Sequence, residues 1–133
     1  MTEETVSSVM TAPFVSINPG DPITNAAKTM RDATIGSLLV VDDDNRPRGI
    51  LTRSDFVDFV ADEANLSGEV PPAESLMTTD IVSVTPETSL GEATELMREQ
   101  AIHHIPVVTE DDRVVGVVTT SDLADASVEG FDS

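Results

Sequence analysis

The sequence contains a gapless internal repeat. Shifting it by 67 residues aligns residues 10–56 with residues 77–123, and 17 of the 47 aligned positions are identical. Self-similarity at a fixed offset indicates a duplicated structural unit. A copy of fewer than about 60 residues buries a sheet poorly when it stands alone. The chain of 133 residues is therefore expected to fold as two packed copies of one small unit.

The repeat also sets the expected domain boundaries. We place the first copy at residues 6–64, a linker at 65–73, the second copy at 74–126 and an acidic tail at 127–133. Gly68, Pro71 and Pro72 interrupt regular structure in the linker.

Each copy has the pattern β-α-β-β-α. The first helix is predicted to have Asp21 as its N-cap and Pro22 at its first position, with Thr88 as the cap in the second copy. The last helix is predicted from Ser54 or Asp55 to Ala64, and from Ser121 to Ala126. Short apolar runs predict strands at 14–17, 38–41 and 47–51, and at 81–84, 105–108 and 114–118. The predicted fold class is α+β, with two tandem repeats packed as a pseudo-twofold pair.

The charge balance excludes several function classes. The chain has 25 Asp and Glu against 7 Lys and Arg, a formal charge of −18. A nucleic-acid binder needs a basic patch, and an acidic membrane surface would repel this protein. With no cysteine, disulfides, thiolate metal sites and a cysteine nucleophile are excluded. We found no signal peptide and no apolar run long enough to span a membrane, so we expect a cytoplasmic location.

The proportions of Asp, Glu and Lys suggest a high-salt environment for the protein. Lys28 is the single lysine, beside fourteen Asp and eleven Glu. This composition is typical of salt-accumulating halophiles, and a halophilic archaeon is the expected source. At about 1 M salt the Debye length is roughly 3 Å, so surface carboxylates hardly repel one another.

One motif ends the last strand of each copy. Residues 49–55 read Gly-Ile-Leu-Thr-Arg-Ser-Asp and residues 116–122 read Gly-Val-Val-Thr-Thr-Ser-Asp. Thr followed three residues later by Asp is a helix-capping pattern, which contributes about 1 kcal/mol. The same junction of strand and helix can hold an anion on backbone N–H groups, with the carboxylate accepting ribose hydroxyls. The spacing leaves both interpretations open.

The paired motifs resemble those of a known family. Each copy opens with Met-Thr, has a strand ending in Pro, and closes its third strand with Gly-h-h-Thr-x-x-Asp, where h is apolar; His104-Ile105-Pro106-Val107-Val108 gives the typical second strand. Over residues 6–126 the chain resembles a CBS-domain pair, also called a Bateman module.

The resemblance implies ligands and two crossed sites. Such modules bind AMP, ADP, ATP or S-adenosylmethionine as regulatory ligands in clefts between the repeats, and need no other cofactor. One implied site combines Thr52, Arg53, Ser54, Asp55, Thr79, Ile81, Val82, His103, His104 and Pro106. The other combines Thr119, Ser121, Asp122, Ala12, Phe14, Ile35, Gly36 and Ser37.

The two implied sites differ in charge. The first contains Arg53, His103 and His104, where the second has Thr120, Gly36 and Ser37. Charge-assisted hydrogen bonds are roughly twice as strong as neutral ones. A phosphate-bearing nucleotide is therefore expected to prefer the first site.

Metal binding and catalysis have little support. His103 and His104 are adjacent on a strand, so they point to opposite faces and do not easily chelate one metal. Residues 42–45 begin like a calcium loop, but Arg53 stands where the loop needs Glu, which favours a solvated hairpin turn. No catalytic constellation is recognisable, so we expect no enzymatic activity.

Two functions remain open from sequence. The chain is either a metabolite or energy sensor that controls an unidentified partner protein, or a ligand-free scaffold in which the Thr-x-x-Asp pairs only cap helices. In both cases the apolar residues Phe56, Val57, Phe59, Val60 and Leu123 predict a homodimer with a closed twofold contact.

Overall fold

The computed structural model describes residues 4–12 and 14–124. The chain divides into two compact units, residues 15–81 and residues 1–14 together with 82–133. We call them the first-repeat unit and the second-repeat unit. The sequence-based boundaries follow the duplication, whereas the units follow packing. Each unit therefore contains one repeat without its own opening segment, together with the short segment that opens the other repeat.

The first-repeat unit is built on a three-stranded sheet. Its strands, in order across the sheet, are β1 (Ser16–Ile17), β2 (Ser37–Val41) and β3 (Pro47–Thr52). Strand β1 is parallel to β2, and β2 is antiparallel to β3 with Leu38 opposite Leu51. A 3₁₀ turn at Glu63–Ser67 follows the second helix. The elements are β1 Ser16–Ile17, α1 Ile23–Ala33, β2 Ser37–Val41, β3 Pro47–Thr52, α2 Arg53–Ala61 and α3 Ala73–Leu76.

The second-repeat unit has an antiparallel pair of strands, β4 (His104–Val108) and β5 (Val114–Thr119), with Ile105 opposite Val118. A 3₁₀ turn at Val6–Ser8 precedes them in the chain. The predicted strand at 81–84 is reduced to one parallel bridge, between Val84 and Val107. The elements are α4 Leu90–Gln100, β4 His104–Val108, β5 Val114–Thr119 and a helical segment over residues 120–124. The predicted end of that helix, and the tail at 127–133, lie outside the described residues.

The predicted helix caps were wrong by one residue. Pro22 is the N-cap of α1, and the Asp21 carboxylate instead accepts from the Asn18 backbone N–H at 3.0 Å. Ser89 caps α4, because its hydroxyl accepts from the Glu92 N–H at 3.1 Å. The hydroxyl of Thr88 is occupied by the Thr85 N–H at 3.1 Å. In both copies the residue predicted as cap serves the turn before the helix.

Each unit has its own apolar core. Helix α1 buries Ile23, Ala26 and Met30, and α4 buries Ala93 and Met97 at matching positions. The buried positions of each helix are three or four residues apart, so they lie on one face. The sheet faces that complete the two cores consist of Ile17, Leu38, Val40 and Leu51 in one unit and Val84, Ile105, Val107 and Val118 in the other.

The acidic segment after β2 forms a hydrogen-bonded hairpin turn. Asp42 Oδ1 accepts from the backbone N–H groups of Asp44 and Arg46, at 3.0 and 2.9 Å. The hydrogen bond from Arg46 is the main reason that the pKa of Asp42 lies below its ordinary value. Among the described residues, no group of three or more His, Cys, Asp or Glu side chains could hold a metal ion. The same part of the chain contains no helix long and apolar enough to cross a membrane.

Candidate functional site

The first Thr-x-x-Asp motif lies where β3 becomes α2. Thr52 ends the strand and is the N-cap of the helix. Asp55 Oδ2 accepts from the Thr52 backbone N–H at 2.8 Å and from Thr52 Oγ1 at 3.2 Å. This carboxylate is half-buried. The helix-capping interpretation of the motif is therefore realised in the first copy.

The second motif forms a reciprocal capping box. Asp122 Oδ2 accepts from the Thr119 backbone N–H at 2.9 Å, and Thr119 Oγ1 accepts from the Asp122 N–H at 3.2 Å. In the described part of the chain, Oδ1 of Asp55 and Oδ1 of Asp122 make no hydrogen bond. Capping thus uses one oxygen of each carboxylate and leaves the other available to a ligand.

The opening segment of each repeat pairs with a strand of the other repeat. Thr11 exchanges two backbone hydrogen bonds with Val117 of β5, at 2.8 and 3.1 Å. Thr78 does the same with Ile50 of β3, at 2.9 and 3.0 Å. The family resemblance implies crossed sites that join each opening segment to the motif of the other repeat. Residue spacing alone does not reveal this exchange, because the two copies offer each opening segment nearly identical strands.

The exchange brings some residues of each predicted site into the same unit. Ala12 and Phe14 lie in the unit that contains Thr119, Ser121 and Asp122. Thr79 and Ile81 lie in the unit that contains Thr52, Arg53, Ser54 and Asp55. Thr11 extends this arrangement, because its Oγ1 donates to Asp122 Oδ2 at 3.5 Å.

The second-strand segments lie beside the motif of their own repeat. His104 is opposite Thr119, and the Thr120 N–H donates to the His103 carbonyl at 3.1 Å. The family resemblance groups His103, His104, Pro106 and Val82 with the Thr52 site, and the structure places them in the second-repeat unit.

The first-repeat unit has the same internal arrangement. Ser37 is opposite Thr52, and the Arg53 N–H donates to the Gly36 carbonyl at 3.3 Å. Ile35, Gly36 and Ser37, grouped from sequence with Asp122, lie in this unit. Within the first-repeat unit, Arg53 is therefore the cation next to the motif.

His104 and Ser37, which occupy equivalent positions, differ in chemistry. Burial, followed by the charge of His103, lowers the pKa of His104, and the nearby Asp122 carboxylate partly opposes the shift. Ser37 is 6% exposed, and its buried Oγ has no hydrogen-bond partner within the described residues.

Each unit also carries an apolar groove between two helical segments. The volumes are about 410 Å³ in the first-repeat unit and about 540 Å³ in the second. Of the described residues that line them, none is acidic. The first groove is lined by Ala27, Met30, Arg31, Ile35, Arg53, Phe56 and Val57. The second is lined by Thr94, Met97, Arg98, Ala101, Ile102, His103, Thr120, Leu123 and Ala124.

Curated relatives match nearly the whole chain. An uncharacterized 17.7 kDa protein of Acidianus ambivalens is 32% identical over 124 residues, which cover 93% of this chain and 73% of the relative. Other relatives are much longer. The chain spans 32% of an uncharacterized protein of Methanocaldococcus jannaschii at 33% identity, and 23% of a homoserine O-acetyltransferase of Methanohalobium evestigatum at 29% identity.

Solved structures share the fold. The CBS domain pair of protein MJ0100, in complex with 5′-methylthioadenosine and S-adenosyl-L-methionine, superimposes with a TM-score of 0.85 at 23% identity, covering 97% of this chain and 99% of that one. CBSX2 in complex with AMP also gives 0.85, at 22% identity, covering 95% and 97%. The sequence model of the CBS domain matches residues 6–62 and 73–129. The chain therefore belongs to the CBS domain family and carries two tandem copies of that domain.

Proposed function

We propose that this chain is a regulatory module that senses an adenosyl compound, AMP, ADP, ATP or S-adenosylmethionine. The observation that carries the proposal is the half-buried carboxylate at each junction of strand and helix, which caps with one oxygen and keeps the other open. Relatives of the same fold hold AMP, or 5′-methylthioadenosine and S-adenosyl-L-methionine. The proposed role is ligand binding without catalysis.

The local chemistry suits a nucleotide. The open oxygen of Asp55 accepts the ribose hydroxyls. The helix N-terminus that begins at Arg53 offers a partial positive charge to phosphate. The exposed Arg53 side chain adds a full charge at the same end. Ser37 Oγ, buried opposite Thr52, supplies a further polar atom.

The two sites are proposed to prefer different ligands. Arg53 favours a phosphate-bearing nucleotide at the Thr52–Asp55 site, and the equivalent residue of the other site is Thr120. There the Asp122 carboxylate interacts with His104, whose lowered pKa favours the neutral imidazole near pH 7. An uncharged or cationic adenosyl compound therefore suits the Asp122 site better.

The net charge of −18 sets a condition on binding. An anionic nucleotide approaches an anionic protein, so long-range repulsion slows association in dilute buffer and salt relieves it. We propose that the module works in the salt-rich cytoplasm of a halophile, where this repulsion is screened.

Thermal unfolding with and without each adenosyl compound, at about 1 M salt, tests the proposal. A ligand at 100 times its dissociation constant adds about 2.7 kcal/mol to stability. Asp55→Ala is expected to abolish the effect of AMP and ATP. Asp58→Ala removes an exposed carboxylate from the same helix and serves as the matched control. The proposal fails if none of the four compounds shifts the unfolding temperature.

We propose that the module acts as a homodimer. A dimer is compatible both with a ligand sensor and with a ligand-free scaffold. Val57 and Val60 are 65% and 57% exposed on α2. This apolar surface is free for a second copy to cover. The two apolar grooves beside the helices give a second copy further surface to cover. The dimer would present its ligand state to an unidentified regulated protein.

A further inference from the structure

We propose that Thr11, in the opening segment of the first repeat, is a positioning residue for the Asp122 site of the second repeat. The proposal rests on the proposed function, because it concerns how Asp122 meets an adenosyl ligand. Thr11 lies outside the set of residues that the family resemblance implies, and the exchange of opening segments brings it there.

The backbone around Thr11 is held in place by the second-repeat unit. Its N–H and carbonyl both bond to Val117, two residues before the motif begins at Thr119. On one side, the Met10 sulfur lies against Gly116. Further back, the Val6 N–H donates to the Thr88 carbonyl at 2.9 Å. The position of the Thr11 side chain is therefore fixed by the strand that carries the motif.

The Thr11 hydroxyl reaches the oxygen that already caps the helix. Asp122 Oδ2 accepts from Thr11 Oγ1 at 3.5 Å and from the Thr119 N–H at 2.9 Å. Two donors from different segments restrict rotation of the carboxylate. Because both donors bind Oδ2, they also fix the direction of Oδ1, which keeps no hydrogen bond within the described residues.

The first-repeat unit provides a matched comparison. Thr78 has the same two backbone hydrogen bonds to Ile50 as Thr11 has to Val117. There, however, Asp55 Oδ2 takes its second hydrogen bond from Thr52 Oγ1. Thr11 thus serves a carboxylate of the other repeat, whereas Asp55 is oriented by its own repeat.

This difference makes the Asp122 site depend on the opening segment of the other repeat. The Asp55 site has no equivalent hydroxyl contact among the described residues.

The experiment measures ligand affinity one site at a time by calorimetric titration at about 1 M salt. Asp55→Ala leaves the Asp122 site, which is titrated with S-adenosylmethionine, and Thr11→Val is added to that background. We expect Thr11→Val to weaken binding about five- to tenfold, the usual effect of losing an ordinary hydrogen bond, because the contact to the carboxylate is long at 3.5 Å. Thr11→Ser, which keeps the hydroxyl, is expected to bind within about twofold of the parent. Neither substitution removes the backbone bonds to Val117, so both variants should unfold at nearly the same temperature.

The control is Thr78→Val in an Asp122→Ala background, where affinity at the Asp55 site should not change. Wild-type affinity in the Thr11→Val variant, or an equal loss in the Thr78→Val variant, would overturn the proposal. If wild type binds but the Asp55→Ala variant does not, Asp122 is no ligand site and this inference alone fails. If wild type binds none of the four adenosyl compounds, the proposed function fails with it.

Discussion

The side chain of Met77 occupies the space that a β-carbon on Gly49 would need. Such an atom would lie 2.7 Å from Met77 Sδ and 2.8 Å from the Thr78 carbonyl oxygen. Gly116 stands in the same relation to Met10, at 2.7 Å from its sulfur. The glycine and the Met-Thr pair, repeated in both copies, are thus two sides of one contact. Packing requires them whether or not a ligand binds.

Gly49→Ala is expected to destabilise the protein by about 1–3 kcal/mol, as overpacking of a filled site usually does. The backbone oxygen of Thr78 is part of the obstruction, so a shift of the Met77 side chain does not remove it. Urea unfolding measures the change. Gly68→Ala is the matched control, because nothing lies within 4 Å of its added carbon. Equal stability of the two variants would show that the opening segment is not packed as described.

Thr119→Ala is expected to cost about 1 kcal/mol in the absence of any ligand, through loss of the N-cap hydroxyl. The hydroxyl accepts from the Asp122 N–H at 3.2 Å. Ser121→Ala, at an exposed neighbouring position, should leave stability nearly unchanged. Thermal unfolding of ligand-free protein compares the two. If Thr119→Ala were neutral, the motif would not act as a cap, and its residues would have to be explained by the ligand alone.

Sequence periodicity predicts local structure well and pairing of distant segments poorly. The spacing of Ala26 and Met30 identifies the buried face of α1, and the turn at Asp42 follows from residue type. Spacing alone does not predict the exchange of Thr11 and Thr78, because the two copies offer each opening segment nearly identical strands; only the family resemblance implies crossed sites. The placement of His104 opposite Thr119 comes instead from the local pairing of β4 with β5.

His104 predicts a loss of stability in mild acid. Burial holds its pKa below the ordinary value of 6.5 in the folded protein. As pH falls below that value, the unfolded chain takes up the proton first, so the stability present above it is progressively lost. The unfolding temperature of wild type should therefore fall more steeply from pH 7.5 to 5.5 than that of His104→Gln. His103→Gln, at an exposed position, removes only the smaller cause of the lowered pKa of His104, so its profile should lie between those of wild type and His104→Gln. Parallel profiles for wild type and His104→Gln would contradict the assigned burial.

Val57→Glu tests the proposed homodimer with little risk to the fold. The side chain is 65% exposed, so a charge there is solvated in the monomer but is buried if α2 faces a second copy. We expect wild type to be dimeric at micromolar concentration and about 1 M salt, and Val57→Glu to be largely monomeric with an unchanged urea midpoint after correction for dimer formation. Val15→Glu, at 47% exposure and outside α2, is the matched control and should remain dimeric. Light scattering distinguishes these states. A monomeric wild type would leave Val57 and Val60 exposed for a different partner, and a dimeric Val57→Glu would place the contact on another face.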